Sequence, residues 1–246
     1  MRLNFTKKDF ENIKKDHFIV KRNVISFREL KKLNEEFNKV SKKINNKRDL
    51  HLFEKGKLTT ISSIHNIHLY SKFYKNFIKK SGLSKLVQII YGSKSKRIFN
   101  SSLFAKPAKI GLETKPHQDN AFFNLSKGEA LTCWMPINKS TKKNGTMYYY
   151  KNSGVLGDLK HAPKGNLGAS MSVKNLKPLK KFKKVFVNVN KGDCIIHNAL
   201  VVHGSKKNVS KFSRRAFNFS TASQDKVNLK KFNYYKKNLK IYLKKK

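Results

Sequence analysis

Eight short segments of β type run from residue 98 to residue 222, and they limit what this chain can fold into more than any other feature. They are rich in Val, Ile, Phe and Tyr, and clusters of Gly, Pro, Asn or Lys separate them. The predicted strands are 98–106, 117–125, 129–137, 145–151, 168–173, 184–190, 193–203 and 214–222. Eight such strands after a helical region predict a mostly β fold with N-terminal helices, in which the strands form a double-stranded β-helix, or jelly roll.

The region before residue 98 is predicted to combine one strand with helices. Its predicted elements are a strand at 17–25, a helix from Ser26 to about Val40, a polar loop at 41–60, and one or two helices at 70–91 that break near Ser81. Ser26 is expected to cap its helix, because a serine hydroxyl accepts hydrogen bonds from first-turn N–H groups.

These elements predict one domain at 1–224. It consists of an N-terminal strand-and-helix part at 1–97 and a jelly-roll core at 98–224. A lysine-rich C-terminal tail follows at 225–246, with aromatic residues that are able to dock a last helix.

The formal charge of +42 comes mostly from lysine, since only seven of the 56 basic residues are arginine. The lysines are spread along the chain, a pattern that favours compositional bias over a dedicated nucleic-acid surface. We therefore expect a small-molecule substrate and keep nucleic acid as an alternative partner. The charge is suited to attracting an anionic substrate.

The chain is expected to be cytoplasmic. No apolar run reaches the length of a membrane span, and residues 1–16 contain no apolar stretch of signal-peptide length. Cys133 and Cys194 lie in apolar, strand-like runs and are expected to be small core residues in a reducing compartment.

His117 and Asp119 stand two residues apart in the segment PHQDNAFF. In an extended chain, residues i and i+2 point to the same face, so one imidazole and one carboxylate can converge there. A lone match of this type is expected by chance in a chain of this composition and decides nothing by itself.

His203 ends an apolar run 86 residues later and precedes Gly204. That gap is long enough for a jelly roll to return a strand to the same end of the barrel. Two histidines and a carboxylate on one face of an octahedron suit iron(II), and they leave positions open for a bidentate ligand and O2. The alternative interpretation is two core histidines and a turn aspartate.

Arg214 lies eleven residues beyond His203, after a loop and at the start of a predicted return strand. Its planar guanidinium pairs with a carboxylate bidentately, which is what the distal end of 2-oxoglutarate requires. Ser205 is placed to add a hydroxyl to the same carboxylate.

The motifs together resemble the phytanoyl-CoA dioxygenase family. They are H-Q-D at 117–119, L-T-x-W ending at Trp134, N-G at 144–145, G-D-x(9)-H-G-S-x-x-N at 192–208, and Arg214. The run at 16–33 is also similar to the opening strand and helix of that family. The resemblance covers residues 16–222 and implies a cupin-like form of the jelly roll.

The resemblance implies roles for six residues. His117, Asp119 and His203 would hold Fe(II), and Arg214 would anchor 2-oxoglutarate, with Ser205 and Trp134 lining its pocket. The expected cofactors are Fe(II), the cosubstrate 2-oxoglutarate, and O2. Since halogenating relatives replace the carboxylate by a small residue, the aspartate favours hydroxylation. The chain departs from the family at 151–154, where Lys-Asn-Ser-Gly replaces Pro-Gly-Ser/Thr-His.

The remaining histidines carry weaker predictions. His197 shares strand parity with His203 and is expected to be a core or rim residue, with an active role as the alternative. His65 and His68 are predicted to be surface residues, and His161 to lie in a loop. The run Tyr148–Tyr150 is predicted to pack within a strand.

The expected function is therefore a hydroxylase of the 2-oxoglutarate-dependent dioxygenase class. Two alternatives remain, an oxygenase that acts on nucleic acid and a non-catalytic, metal-binding jelly roll. The substrate, the position that is hydroxylated and the oligomeric state are open at this stage.

Overall fold

A computed structural model describes residues 1, 3–45, 49–55, 58–93, 98–163 and 171–244. Its α-helices are α1 Lys7–Asp16, α2 Phe27–Lys43, α3 Ile67–Tyr70, α4 Lys72–Lys80, α5 Leu83–Tyr91, α6 Asn120–Phe123 and α7 Leu229–Lys244. Its strands are β1 Phe18–Lys21, β2 Leu50–Lys55, β3 Leu58–His65, β4 Ile98–Lys106, β5 Thr114–His117, β6 Ala130–Pro136, β7 Met147–Tyr150, β8 His161–Pro163, β9 Met171–Val173, β10 Lys184–Phe186, β11 Cys194–Asn198, β12 His203–Ser205 and β13 Arg214–Ala222. Three short 3₁₀ helices lie at Lys142–Asn144, Ser153–Leu156 and Lys177–Lys181.

Two antiparallel sheets form the core. The large sheet has the order β1-β11-β6-β13-β4-β3-β2, and the small sheet has the order β10-β7-β12-β5. Trp134 and Ile195 from the large sheet pack against Met147 and Tyr149 from the small sheet, so the sheets enclose a shared interior. This arrangement confirms the predicted jelly roll with N-terminal helices.

A helical layer covers the outer face of the large sheet. Leu33, Tyr74 and Leu86 from the helices pack against Leu103 and Phe217 from the strands. Hydrophobic burial on both faces therefore holds the large sheet in place and fixes which of its side chains point toward the interior.

Two helix predictions are confirmed in detail. Ser26 caps α2 with a complete capping box, in which its hydroxyl accepts from Glu29 N–H and the Glu29 carboxylate accepts from Ser26 N–H. The predicted break near Ser81 separates α4 from α5, where Gly82 adopts a left-handed conformation with φ of 86°.

The predicted loop at 41–60 is wrong in large part, because β2 and the first three residues of β3 lie in this region, while 46–48 and 56–57 lie outside the described residues. These strands extend the large sheet at its edge, where one strand has no further partner in the described sheet. Edge strands tolerate polar residues that a central strand would not, so this region lacks the apolar pattern on which the prediction relied.

Two predicted strands were wrong in extent. The strand predicted at 117–125 shares only His117 with the observed strand β5, Thr114–His117, after which the chain turns into α6. The strand predicted at 193–203 is two strands, since β11 pairs in the large sheet and β12 in the small sheet. Of the strand predicted at 168–173, residues 171–173 form β9, and 168–170 lie outside the described residues.

The C-terminal region contains α7, which packs against the core. The Tyr234 hydroxyl donates to the His161 carbonyl oxygen at 2.9 Å, and the Lys231 ammonium pairs with Asp158. The domain boundary at 224 stays a prediction. Within the described residues, no helix is both long enough and apolar enough to cross a bilayer.

Candidate metal and cosubstrate site

Three side chains from two strands and a turn converge at one end of the small sheet. His117 in β5 and His203 in β12 are direct cross-strand partners, with ring centroids 4.3 Å apart. Asp119 stands at the turn into α6, and its Oδ1 lies 3.5 Å from His203 Nε2 and 3.8 Å from His117 Nε2. One ligand atom from each of the three residues lies within 4.8 Å of the other two.

Both histidines are oriented by the backbone. His117 Nδ1 donates to the Lys115 carbonyl at 2.9 Å, and His203 Nδ1 donates to the Val201 carbonyl at 3.0 Å. These bonds put the lone pair of each ring on Nε2, the atom that faces Asp119. Burial lowers the pKa of both imidazoles, so both are neutral and available as ligands.

The Asp119 carboxylate is held by one of its two oxygens. Oδ2 accepts from Thr132 Oγ1 at 2.7 Å and from His197 Nε2 at 3.1 Å. Burial acts to raise the pKa of Asp119, but the electrostatic influence of the adjacent His203 ring and the hydrogen bond from His197 outweigh it and hold that pKa well below its ordinary value. Oδ1 therefore remains an ionised ligand directed at the two histidines.

The donor set fits an octahedral divalent ion. Metal–ligand bonds of about 2.0–2.2 Å place adjacent ligands roughly 3 Å apart. The Oδ1–Nε2 separations of 3.5 and 3.8 Å need shifts of less than an ångström to reach that spacing. Cys133 and Cys194 belong to the core cluster under the helices, so the site lacks the thiolates that structural zinc prefers.

Two buried cations lie together at the other end of the barrel interior. Arg214 in β13 is the cross-strand partner of Lys106 in β4, and both side chains are buried. Burial lowers the pKa of Arg214 to about 10, and burial together with Arg214 lowers the pKa of Lys106 well below its ordinary value. Among the described residues, no carboxylate forms an ion pair with Arg214 and its Nε has no hydrogen-bond partner.

An uncompensated pair of this kind is the physical signature of an anion site. Buried charges cost free energy unless a partner neutralises them, and a carboxylate would neutralise this pair. The Arg214 guanidinium also lies 5.3 Å from the Trp134 ring centroid, which fixes its plane. Ser205 is buried on β12, two residues beyond His203 and on the same face of the strand.

The glycine of the N-G motif makes room for this lysine. Gly145 has φ of 89°, and a Cβ at this position would lie 2.9 Å from Lys106 Cδ and 2.5 Å from the Lys206 carbonyl oxygen. Since only glycine tolerates both the backbone conformation and the close approach, the motif makes room for Lys106 from the turn that precedes β7.

Lys106, Thr132 and His197 contribute contacts that the predicted site did not include. Lys106 is placed by register, because it pairs with Arg214, which lies 108 residues later in the chain. A lysine at the end of an otherwise uncharged strand segment, NSSLFAK, was the available signal for it. Thr132 belongs to the L-T-x-W motif, whose threonine carried no predicted role.

The structure changes the interpretation of the other histidines. His197 is buried, and its Nδ1 accepts from the Tyr149 hydroxyl at 3.1 Å while its Nε2 binds Asp119. The surface prediction for His65 and His68 is wrong, since Ser102 and Ser101 hydroxyls bond to their rings at 2.9 and 2.6 Å. The loop prediction for His161 is also wrong.

His161 lies in β8 and supports the metal site. Its Nε2 accepts from the Gln118 N–H at 3.0 Å, and Gln118 stands between the two ligands of the H-Q-D motif. Burial lowers the pKa of His161 to about 4, so the neutral ring is the acceptor that this bond requires. The run Met147–Tyr150 forms β7, as the packing prediction for its tyrosines required.

Another histidine, His17, lies beside the loop at 151–154, where the sequence departs from the family motif. The Gly154 N–H donates to His17 Nδ1 at 3.0 Å, and a Cβ at Gly154 would lie 2.5 Å from that atom. The His17 ring thus occupies the space beside this loop. Ser153 next to it accepts from Val202 N–H at 2.8 Å, which ties the loop to the strand that carries His203.

Known proteins resemble the chain in sequence over most of its length. The profile of the family Phytanoyl-CoA dioxygenase (PhyH) matches residues 13–216. A phytanoyl-CoA dioxygenase of Arabidopsis thaliana is 25% identical over 164 residues, which are 65% of this chain and 56% of the relative. Phytanoyl-CoA dioxygenase 1 of Oryza sativa subsp. japonica is 23% identical over 176 residues, 71% of this chain and 62% of the relative. The match thus spans under two thirds of both relatives.

Solved structures share the fold. EctD from S. alaskensis with bound Fe superposes with a TM-score of 0.73 at 18% identity, over 89% of this chain and 77% of EctD. The epimerase SnoN, in complex with Fe3+ and α-ketoglutarate, superposes with a TM-score of 0.72 at 19% identity, over 88% of this chain and 83% of SnoN. Since the profile match covers well over half of the sequence, the chain belongs to the phytanoyl-CoA dioxygenase family.

Proposed function

We propose that this protein is an Fe(II)- and 2-oxoglutarate-dependent dioxygenase that hydroxylates a small molecule. The observation that carries the proposal is the pairing of two sites in one barrel interior. One is the His117, Asp119 and His203 set, and the other is the buried Arg214–Lys106 pair. A dicarboxylate that bridges them would chelate the metal at one end and neutralise the cations at the other.

Each group in this arrangement has a separate task. The two Nε2 atoms and Asp119 Oδ1 would hold iron on one face, which leaves the opposite face for ligands. Arg214 would bind the distal carboxylate of 2-oxoglutarate through two parallel N–H groups, with Lys106 adding a third donor and Ser205 a hydroxyl. Trp134 would form the wall of this pocket.

The bound iron and cosubstrate would supply the oxidative chemistry, in which O2 and 2-oxoglutarate yield succinate, CO2 and an oxidised substrate. Burial keeps the two imidazoles neutral, and the hydrogen bond from His197 helps to keep Asp119 ionised. The apolar barrel wall around Trp134 and Tyr149 excludes water from the reacting centre.

Hydroxylation is the reaction class that we infer, although fold neighbours carry out other reactions. SnoN is an epimerase and SnoK is a carbocyclase of the same cosubstrate class. The carboxylate of Asp119 occupies the third ligand position here, and the resemblance associates it with hydroxylation rather than halogenation. The buried, unpaired Cys133 and Cys194 support a cytoplasmic location.

The test is succinate release from 2-oxoglutarate by purified, iron-loaded protein. We expect turnover without substrate at a low rate and stimulation by the substrate. Asp119→Ala and His203→Ala should abolish iron-dependent succinate release. A matched control is His68→Ala, which removes a histidine bonded to Ser101 on the helical side of the large sheet.

The result also separates the alternatives. A folded protein that binds 2-oxoglutarate but forms no succinate, across a broad compound panel, would contradict the enzymatic proposal and favour a binding protein. Tight binding to a defined nucleic acid that weakens steeply with salt would instead favour the nucleic-acid alternative.

A further inference from the structure

The inner face of the large sheet carries an uncharged polar surface beside the candidate metal site. We name it the polar floor. It consists of Asn100, Ser102, His65, Asn218 and Ser220, which come from three different strands. The proposed function assigns no role to these residues, because metal and cosubstrate are held by others.

The sheet register puts these side chains in two adjacent rows. Residues directly opposite in an antiparallel pair share a face of the sheet. The first row is Thr132, Ser220 and Asn100, and the second is Trp134, Asn218, Ser102 and His65. Trp134 points into the barrel interior, so both rows line that interior rather than the helical layer.

The first row begins at the metal site. Thr132 Oγ1 bonds to Asp119 Oδ2 at 2.7 Å and to Ser220 Oγ at 2.9 Å. Neighbouring strands lie about 4.8 Å apart, so the row reaches Asn100 roughly 10 Å from Thr132. A small molecule whose reacting carbon is near the metal would therefore extend over the floor.

A third row separates the floor from the anion pair. It consists of the apolar Pro136, Ala216 and Phe104, with Ser63 at the end of the row. The Arg214–Lys106 pair lies beyond this row. The floor itself contains no lysine, arginine or carboxylate. The cations of the barrel interior are thus grouped at the cosubstrate pocket, away from the surface that a substrate would contact.

The polar floor contains a hydrogen-bond acceptor that has no partner among the described residues. Asn218 Oδ1 is fully buried and, among the described residues, has no hydrogen-bond partner. The Asn100 and His65 side chains are half-buried. His65 bonds to the hydroxyls of Ser102 and Ser63, and burial lowers its pKa to about 4, which keeps the ring neutral.

We propose that the polar floor binds an uncharged substrate that carries several hydroxyl or amide groups. This inference rests on the proposed function, since it names the substrate class of the same site. An acyl chain laid on this surface would leave the buried Asn218 Oδ1 without a hydrogen-bond partner, which disfavours binding. The expectation from net charge alone, an anionic substrate, does not apply to this face.

The test compares three compound panels by two readouts. The panels are neutral polyols and glycosides, neutral amides, and acyl thioesters. One readout is stimulation of succinate release by iron-loaded protein. The other is the thermal shift that each compound adds to protein loaded with Mn(II) and 2-oxoglutarate, which measures binding without turnover. We expect members of the first two panels to act in both.

Variants then locate the contact. Asn218→Leu and Asn100→Ala should raise the concentration for half-maximal stimulation about tenfold or more and reduce the thermal shift to the same degree. Ser101→Ala is the matched control, because Ser101 lies next to Asn100 on β4 but bonds to His68 on the opposite face. It should leave both readouts at wild-type values.

Three results would overturn the inference. They are a response to acyl thioesters alone, no response to either neutral panel, and a response that both floor variants retain in full. Failure of the proposed function looks different, because the wild-type protein would then form no succinate and gain no stability from 2-oxoglutarate.

Discussion

The bond from His197 to Asp119 leads to a quantitative prediction about metal affinity. His197 Nε2 lies 3.1 Å from Asp119 Oδ2, and the Tyr149 hydroxyl lies 3.1 Å from His197 Nδ1. Since the carboxylate can only accept, Nε2 carries the proton and Tyr149 donates to Nδ1. His197 is thus a positioning residue that directs Oδ1 of Asp119 toward the metal.

Removing this donor should weaken metal binding substantially. A hydrogen bond to a charged group contributes about 1.5–3 kcal/mol, and loss of a residue that orients a metal ligand typically costs about 10–100-fold in affinity. Thr132 still donates to the same oxygen at 2.7 Å. We therefore expect His197→Phe to weaken Mn(II) binding by about tenfold or somewhat more, without loss of all binding.

The assay is a Mn(II) titration followed by the loss of the free-ion EPR signal. His197→Gln retains an N–H donor and should remain within about fivefold of wild type, which a merely structural role would not explain. Ser220→Ala is the control, since Ser220 contacts Thr132 but not Asp119. Wild-type affinity in a folded His197→Phe protein would refute the positioning role.

Three further predictions concern other parts of the structure. Arg214→Lys loses the bidentate fork and should weaken 2-oxoglutarate binding at least about tenfold in calorimetry, with Mn(II) affinity unchanged. Gly145→Ala places a Cβ against Lys106 at positive φ and should lower the free energy of unfolding by about 1–3 kcal/mol in urea. The pKa of His65 is 6.5 in the unfolded chain and about 4 in the folded protein. Its contribution to the free energy of unfolding is therefore complete above pH 6.5 and is lost as the pH falls toward 4. In the wild-type protein, protonation of His65 should account for up to about 3 kcal/mol of the free energy of unfolding that is lost between pH 7 and pH 4. This part of the loss should be absent in His65→Gln.

The metal site could be predicted from the sequence because its geometry is mostly local. His117 and Asp119 are two residues apart, and the chain needs only one strand end and one turn to direct both inward. His203 required a fold hypothesis, which the strand count and the family motifs supplied. The turn after His117, with helical φ and ψ at Asp119, was not visible, and the strand was predicted at 117–125 instead of 114–117.

The surroundings of the metal ligands depend on the register with which the strands pair. This register cannot be read from the hydrophobic periodicity of the sequence. Lys106 faces Arg214, and Asn218 lies between Trp134 and Ser102, only because β4, β13 and β6 pair with one particular offset. A slip of one residue would turn every one of these side chains to the helical layer. No periodicity within a single strand carries that information.

The two sheets contribute different parts of the candidate site. Both histidines of the candidate metal site come from the small sheet, whereas the Arg214–Lys106 pair and the polar floor come from the large sheet. Asp119 joins them, because it follows β5 of the small sheet and is held by Thr132 and His197 of the large sheet. The departure at 151–154 follows β7, and its Ser153 and Gly154 form hydrogen bonds with Val202 and His17 rather than with the three ligands. We therefore expect changes in this loop to affect substrate choice more than the geometry of the metal ligands.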